Sequence, residues 1–506
     1  MQENKYDIVI IGAGLGGLVS GALLSKEGFK VCVLEKNKQI GGCLQSFGFD
    51  GKLFESAIHY VGSLAENQTL FKIFNYLGLM SKLSLKRLDT NCYDQIIIDD
   101  IHYNMAQGHD AFVESIASNF PNHLSEIRNY MGDIVSTCKQ FPLYNLRNGD
   151  AQEKNAVTGF GLKSRLSEFI SNPLLQQVLT GNNLLHGGHF EYSPYYMHAL
   201  IQNSYIESSW KCKEGSAQIA KLLQEVIKEN GGEVIRNIEV VKMHEKDGLL
   251  VYAEDKRGER YYAKHFISNL HPQVSFQLLE SNLIRPITVR RLNSLENTMS
   301  SFILNLSLHE KQIPYRNHNI YYHKQKDVWK DVHENIQASP NSFGIFFTED
   351  EANPGYARSI SILTYLNYNA LNKWSDSFHT TAVREKRNDD YQDFKQNYSE
   401  TIIDSLQMII PNLKQAIKAK DASTPLTFRD YLNTPNGSMY GIQKDIRNLT
   451  ATTIATRTKI PNLYLTGQNI NLHGVLGVSI TALLTASEII GLDYLVNKIN
   501  IEPKNM

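Results

Sequence analysis

The chain has 506 residues, 42% of them hydrophobic, and a formal net charge of −1. That length allows roughly three ordinary domains, the apolar content fills sizeable cores, and the near-neutral balance gives no reason to expect nucleic acid as a partner. Five scattered cysteines (Cys32, Cys43, Cys92, Cys138, Cys212), odd in number and without CxxC spacing, argue against a disulfide framework or a zinc site and suit a reducing cytoplasm.

Residues 5–35 read as one βαβ unit. Tyr6–Ile11 is an apolar, β-branched run of the kind that forms a buried parallel strand. It breaks into Gly12-Ala-Gly14-Leu-Gly-Gly17, a G-x-G-x-x-G turn. There Gly12 allows the turn, Gly14 lets backbone approach a pyrophosphate, and Gly17 lets helix and strand pack closely. The helix start then presents free N–H groups to phosphates. A second apolar strand, Lys30–Leu34, ends in Glu35, about 20 residues past the glycines, where a carboxylate accepts from ribose hydroxyls. The apolar stretch Ile8–Leu24 is split by five glycines, so strand–turn–helix is the better reading than a membrane span. Met1–Lys5 is polar and does not read as a signal peptide, so the expectation is a soluble or peripheral cytoplasmic protein.

The βαβ unit alone does not separate NAD from FAD. After Glu35 come five residues and a second glycine pair, Gly41-Gly42, then Cys43, which lets backbone pass close to a bulky ligand. This E-x5-G-G arrangement resembles flavoproteins of the amine oxidase and phytoene desaturase superfamily, most of which have Arg where this chain has Cys43. The continuation Phe54-Glu-Ser-Ala-Ile-His59-Tyr60-Val-Gly62 resembles a narrower branch, the retinol saturases and carotenoid isomerases.

Residues 66–209 read as largely helical, with periodic segments at Ala111–Phe120 and His123–Phe141. Gly215–Gly231 is an amphipathic helix with its stripe at Ile219, Leu222, Leu223, Val226 and Ile227. Glu233–Met243 and Gly248–Glu254 read as strands joined by Lys246-Asp247-Gly248, and Phe266–Asn269 as a further buried strand end. Ser301–Leu308 alternates Phe302, Leu304, Leu306 and Leu308, the pattern of a half-buried strand, with Asn319–His323, Phe343–Thr348 and Ser359–Leu366 as partners. Tyr391–Ile410 reads as a helix closed by Pro411. At the end, Pro461–Gly467 is an apolar strand running into glycine, followed by a loop through His473, Gly474 and Gly477 and a helical run, Val478–Ile490.

Thr424–Thr427 and Asn436–Gly441 also resemble the retinol saturase pattern. The resemblance implies an α/β fold: a Rossmann-like FAD-binding domain of the glutathione reductase and amine oxidase type, interleaved with an α+β substrate domain. On that division, residues 1–65, 210–275 and 425–506 bind FAD, and residues 66–209 and 276–424 bind substrate. It also implies cofactor contacts from Gly12, Gly14, Gly17, Glu35, Gly41, Gly42 and Val240, the last equally readable as a core valine. The final strand, loop and helix, with Gly467, Asn469, Leu476 and Gly477, would close over the ribityl chain, the helix N-terminus stabilising an anionic reduced flavin. Gln468 and Asn469 stand where the family often has an acid.

The catalytic candidate is His59, which follows the second glycine-rich segment; a neutral imidazole there positions substrate or shuttles a proton. On that reading its removal takes a step near the unperturbed imidazole value of ~6.5 out of the pH profile; the competing reading is a hydrogen-bonded core histidine. His186 and His189 have spacing compatible with a metal, but no acid or Cys completes a site, and a loop is the better reading. Phe302, Tyr321, Tyr322, Phe346, Phe347 and Tyr365 are candidates for the walls of a polyene tunnel, or simply core. Ser281–Leu292, apolar with Arg285, Arg290 and Arg291, is a candidate apolar entrance from a membrane surface. Three functions compete: an FAD enzyme acting on carbon–carbon double bonds of a hydrophobic isoprenoid or polyene, an amine-oxidase-like flavoenzyme, and a non-enzymatic prenyl-lipid chaperone. Oligomeric state is not legible.

Overall fold

The computed structural model describes residues 5–150, 152–334, 339–383 and 387–501. Two large sheets organise them. The first is parallel at its centre, because Tyr6–Ile11 and Val31–Glu35 are apolar runs buried on both faces. Glu233–Arg236, Val31–Glu35, Tyr6–Ile11 and Arg260–Ser268 lie side by side in that order, all parallel. The far edge of Arg260–Ser268 is shared: its first residues pair antiparallel with Leu249–Asp255, and its last three pair parallel with Leu463–Leu465. The crossover helix Leu15–Lys26 packs between helices Ala217–Glu229 and Gly474–Ile490.

The second sheet runs in the order Ile417–Ser423, Ser300–Leu308, Ala357–Leu366, Ser342–Glu349, Asn319–His323, Asp94–Ile98, Ile101–Met105. Its inner strands bury both faces. Phe302, Leu304 and Leu306 pack with Ile402 and Ile403 of the Asp389–Ser405 helix, while Ile303, Tyr321, Phe346 and Leu363 face the larger core toward the first sheet.

Three sequence expectations change. The stretch Glu233–Met243 is two strands, not one. Asn237 takes a positive φ of 60° and divides Glu233–Arg236, which pairs with Val31–Glu35, from Val240–Lys246, which pairs with Leu249–Asp255. Asn adopts that conformation at little cost, so the break carries no glycine signal. Ser300–Leu308 is buried at every position rather than half-buried, because its polar alternates line the interior instead of meeting solvent. Residues 66–209 are largely helical, as expected, but also carry strands that periodicity did not show. Asp94–Ile98 and Ile101–Met105 form a hairpin through Asp99-Asp100, both at positive φ, and extend the second sheet.

Candidate functional site

The parallel strands end together, and their following turns form a cradle. Glu35, the last residue of its strand, is 6% exposed. Its carboxylate accepts from Ala13 N at 3.0 Å and Asn37 N at 2.8 Å, while burial pushes its pKa up. A hydroxyl donor on the open side is what such a buried carboxylate lacks. Gly41 N donates to Ala13 O at 2.7 Å, which sets the second glycine pair directly against the first turn. Gly41 and Gly42 stand at φ of 109° and 56°, left-handed values that select glycine. A Cβ at Gly17 would lie 2.1 Å from Gly12 O, so strand and helix could not keep their distance. The helix beginning at Leu15 has no side-chain cap and no acid in its first turn, leaving its amides free for an anion.

Asn269 is the hub that motif reasoning missed. Its side chain donates to Gly12 O at 3.3 Å, and a Cβ at Gly14, Gly16 or Gly467 would come within 2.6–2.8 Å of its amide atoms. The signal was its position at the end of a buried strand running parallel to the first, where strand ends converge on a ligand.

From this cradle a cavity of about 370 Å³ leads inward. Every expected contact but Gly17 lines it: Gly12, Gly14, Glu35, Gly41, Gly42, Val240, Gly467, Asn469, Leu476 and Gly477, together with His59. Gly17 instead packs helix on strand. Asn469 Oδ1 accepts from Ile442 N at 2.9 Å, which holds the closing loop. A Cβ at Gly477 would sit 2.7 Å from that of Leu472, so glycine lets the last helix turn close against the loop. That helix, Gly474–Ile490, starts with no acid in its first turn. Acidless helix starts, a buried carboxylate and two glycine turns suit a dinucleotide with an apolar ring beyond it.

The inner end of the cavity is aromatic. Of the expected wall residues only Tyr321 and Phe346 line it, joined by Tyr60, Tyr205 and Leu363. Phe302 and Phe347 face the opposite side of the sheet, Tyr322 stacks on Phe343, and the Tyr365 hydroxyl donates to Asn183 O. His59 lies flat on Phe346, ring centroids 4.1 Å apart and nearly parallel, and its Nε2 has no protein partner. Desolvation lowers its pKa to about 3, so the ordinary imidazole titration expected from sequence does not apply: His59 is neutral at physiological pH.

Behind the wall stands an acid. Asp94, fully buried, accepts from Tyr60 Oη at 2.8 Å and from Asn319 Nδ2 at 2.9 Å; Tyr60 and Tyr321 hydroxyls are 2.8 Å apart. Burial raises Asp94 to about 7 despite these hydrogen bonds. The sequence carried a faint sign of it, an acid opening an apolar strand.

Burial pushes the Cys43 thiol up to about 11, the opposite of a reactive cysteine. His186 is buried beside His198, His189 stacks on Tyr192, and no cluster of metal-ligating side chains occurs among the described residues. No described helix is long and apolar enough to cross a membrane.

Residues 10–77 match the family described as NAD(P)-binding Rossmann-like domain. Among solved structures, putrescine oxidase bound to putrescine superposes with a TM-score of 0.64 at 13% identity, over 96% of this chain and 99% of that one. An oxidoreductase from Methanosarcina mazei gives 0.63 at 16%, over 94% and 99%. At these identities the likeness is one of fold: a Rossmann-like α/β architecture shared with putrescine oxidase and the Methanosarcina oxidoreductase. Full-length relatives narrow the class. All-trans-retinol 13,14-reductase of Danio rerio is 25% identical over 96% of this chain and 86% of that protein. The 4,4'-diapolycopene oxygenase of a Methylomonas species is 20% identical over 94% and 95%. The chain is thus an oxidoreductase similar, over most of its length, to all-trans-retinol 13,14-reductases and a diapolycopene oxygenase, and the amine-oxidase and lipid-chaperone alternatives lose support.

Proposed function

We propose that this protein binds FAD and uses it to saturate a carbon–carbon double bond of a hydrophobic polyene. The observation that carries the reading is one continuous cavity, lined both by the two glycine turns with Glu35 and by the aromatic rings of Tyr60, Tyr205, Tyr321 and Phe346. Glu35 would accept from the ribose, the Gly12–Gly17 and Gly41–Gly42 turns and the Leu15 helix start would take the pyrophosphate, and the Gly474 helix start would face the flavin ring. Bound there, the flavin supplies two-electron hydride chemistry. Tyr60, Tyr205, Tyr321, Phe346 and Leu363 would hold the polyene and exclude water, and His59, neutral on Phe346, would orient it. The reductive direction is favoured by the retinol reductases among the relatives.

The Ser281–Leu292 segment supports a peripheral approach to lipid. Pro286–Asn293 is a surface helix with Ile287 60% exposed beside Arg290 and Arg291, preceded by Leu283, 42% exposed, and packed on the Pro272–Gln277 helix, whose Val274 lines the cavity.

The test is anaerobic incubation of the photoreduced protein with all-trans-retinol and several carotenoids. The expected result is a flavin spectrum in the pure protein and a product two hydrogens heavier. A colourless protein that takes up no FAD overturns the cofactor assignment; a flavin that no polyene reoxidises overturns the substrate class.

A further inference from the structure

Saturating an alkene needs a proton as well as a hydride, and His59, lowered to about 3, is a neutral imidazole at neutral pH, without the acidic imidazolium proton. We propose that Tyr321, Tyr60 and Asp94 are a buried proton relay, with Tyr321 the catalytic residue that hands a proton to the double bond and Asp94 the reservoir behind it. The proposal rests on the reading of the cavity as a polyene-saturating site.

The geometry carries it. Asp94 opens the Asp94–Ile98 strand, and Asn319 and Tyr321 lie on the neighbouring Asn319–His323 strand, paired so that Asn319 is directly opposite Asp94. Asn319 Nδ2 occupies Asp94 Oδ1 as a donor. A proton on the carboxyl therefore sits on Oδ2, which faces Tyr60 Oη at 2.8 Å. Tyr60 Oη in turn lies 2.8 Å from Tyr321 Oη. The Tyr60 oxygen is committed to both neighbours, whereas Tyr321 Oη has Tyr60 as its hydrogen-bond partner and both rings line the cavity.

Two proton arrangements of this chain differ at the cavity end. With Asp94 ionised, Tyr321 donates to Tyr60 and Tyr60 to the carboxylate, so Tyr321 presents only lone pairs. With Asp94 protonated, the bonds reverse: the acid donates to Tyr60, Tyr60 to Tyr321, and the Tyr321 O–H is free to point into the cavity. When hydride from a reduced flavin adds to one alkene carbon, the π pair closes on the Tyr321 proton at the other carbon. Tyr321 oxygen takes the proton of Tyr60, Tyr60 takes that of Asp94, and an Asp94 carboxylate remains. One hydride and one proton enter the product, and one proton from water restores the acid.

The groups facing Asp94 are Tyr60 from the loop after Phe54, Asn319 and Tyr321 from the adjacent strand, Asn182, Tyr205 from the Tyr195–Glu207 helix, Cys92 and Tyr93 on its own segment, and Lys211 from Ser209–Cys212. Lys211 is the cation among these groups. Its Nζ donates to Phe347 O at 3.0 Å, and its own pKa is lowered to about 7, chiefly by desolvation, so it is the rival titrating group. Burial holds Asp94 near neutrality, at about 7, so both proton arrangements are within reach of the chain.

The test combines infrared spectroscopy with single turnovers of all-trans-retinol on the flavin-loaded protein. In the wild type, with or without substrate, the carbonyl band of a protonated carboxylic acid should disappear as pH rises through about 7. It should be absent in Asp94→Asn and shifted in Tyr60→Phe. The saturation rate should fall over the same range, the product made in D2O should carry one deuterium, and Tyr321→Phe should slow the proton-transfer step ~10²-fold or more at unchanged flavin occupancy. Asp94→Asn should flatten the pH profile. An unchanged rate per bound flavin in Tyr321→Phe overturns the relay, as does absence of a titrating carboxyl band. So does a pH step that survives Asp94→Asn and vanishes in Lys211→Met. A protein that binds no flavin, or reduces no retinol, fails the parent reading instead, and the infrared titration still judges the relay.

Discussion

Gly14 faces two neighbours at once: the open cradle, and the Asn269 amide 2.8 Å from where its Cβ would stand. Gly14→Val should therefore expel the flavin and displace Asn269, while helix content by circular dichroism stays near that of the wild type. Retention of full yellow occupancy would sink the cradle assignment. His59→Ala makes a different demand. The nucleotide contacts lie elsewhere, so flavin should stay bound while turnover falls ~10²-fold through lost orientation of the polyene. Because the wild-type imidazole is neutral down to about 3, the pH profile should keep its shape between pH ~5 and ~8, where an ordinary histidine would have removed a step. A lost step near ~6.5 would show that the ring is better solvated than its stacking on Phe346 implies.

Within the Ser300–Leu308 strand, adjacent side chains serve two interiors. Phe302 is fully buried against the Asp389–Ser405 helix, whereas Ser301 lines the cavity with its hydroxyl unpartnered. Phe302→Ala should cost ~3–5 kcal/mol in denaturant unfolding, and Ser301→Ala well under ~1 kcal/mol because no protein hydrogen bond is lost. Equal costs would mean that the strand's two faces are not distinguished as described. The same strand shows what was and was not legible. Its period of two was plain in Phe302, Leu304, Leu306 and Leu308, but polar alternates look the same whether they meet solvent or a buried cavity. The Asp94 hairpin was hidden for a related reason, since an acid before Gln-Ile-Ile-Ile carries no periodicity of its own. By contrast the cradle was readable, because each glycine is selected by a local constraint: a positive φ at Gly12 and Gly41, a carbonyl 2.1 Å from the Cβ position at Gly17. At the surface, sedimentation with anionic liposomes at low salt tests the Pro286–Asn293 helix; binding should weaken in Ile287→Ser, and no binding by the wild type would remove the entrance from that segment.

The whole molecule buries many neutral imidazoles. His198, His323 and His473 are each under a tenth exposed, and desolvation lowers them to about 3, 4 and 4. Their folded values lie below the unfolded value of ~6.5, so between the two the unfolded chain binds more protons, and stability is lost as pH falls. By pH ~5 each removes about 2 kcal/mol, together a large part of a typical ~5–15 kcal/mol. Asp94 acts in the opposite sense, since its raised value removes stability as pH rises from ~4 toward about 7. Thermal scans should thus show a melting temperature that drops steeply below pH ~6.5, and Asp94→Asn should be relatively more stable than the wild type above about pH 7 than below it. A flat acid limb would contradict the burial of these rings.

The central claim, a flavin and a polyene meeting in one cavity, is tested most directly by anaerobic single-turnover spectroscopy. The reduced protein is mixed with all-trans-retinol, and flavin reoxidation and product mass are followed on the same sample. Reoxidation at the rate of product formation, with a gain of two hydrogens per flavin, is the predicted result. Flavin that stays reduced with every polyene tried, yet is reoxidised by other acceptors, would contradict it.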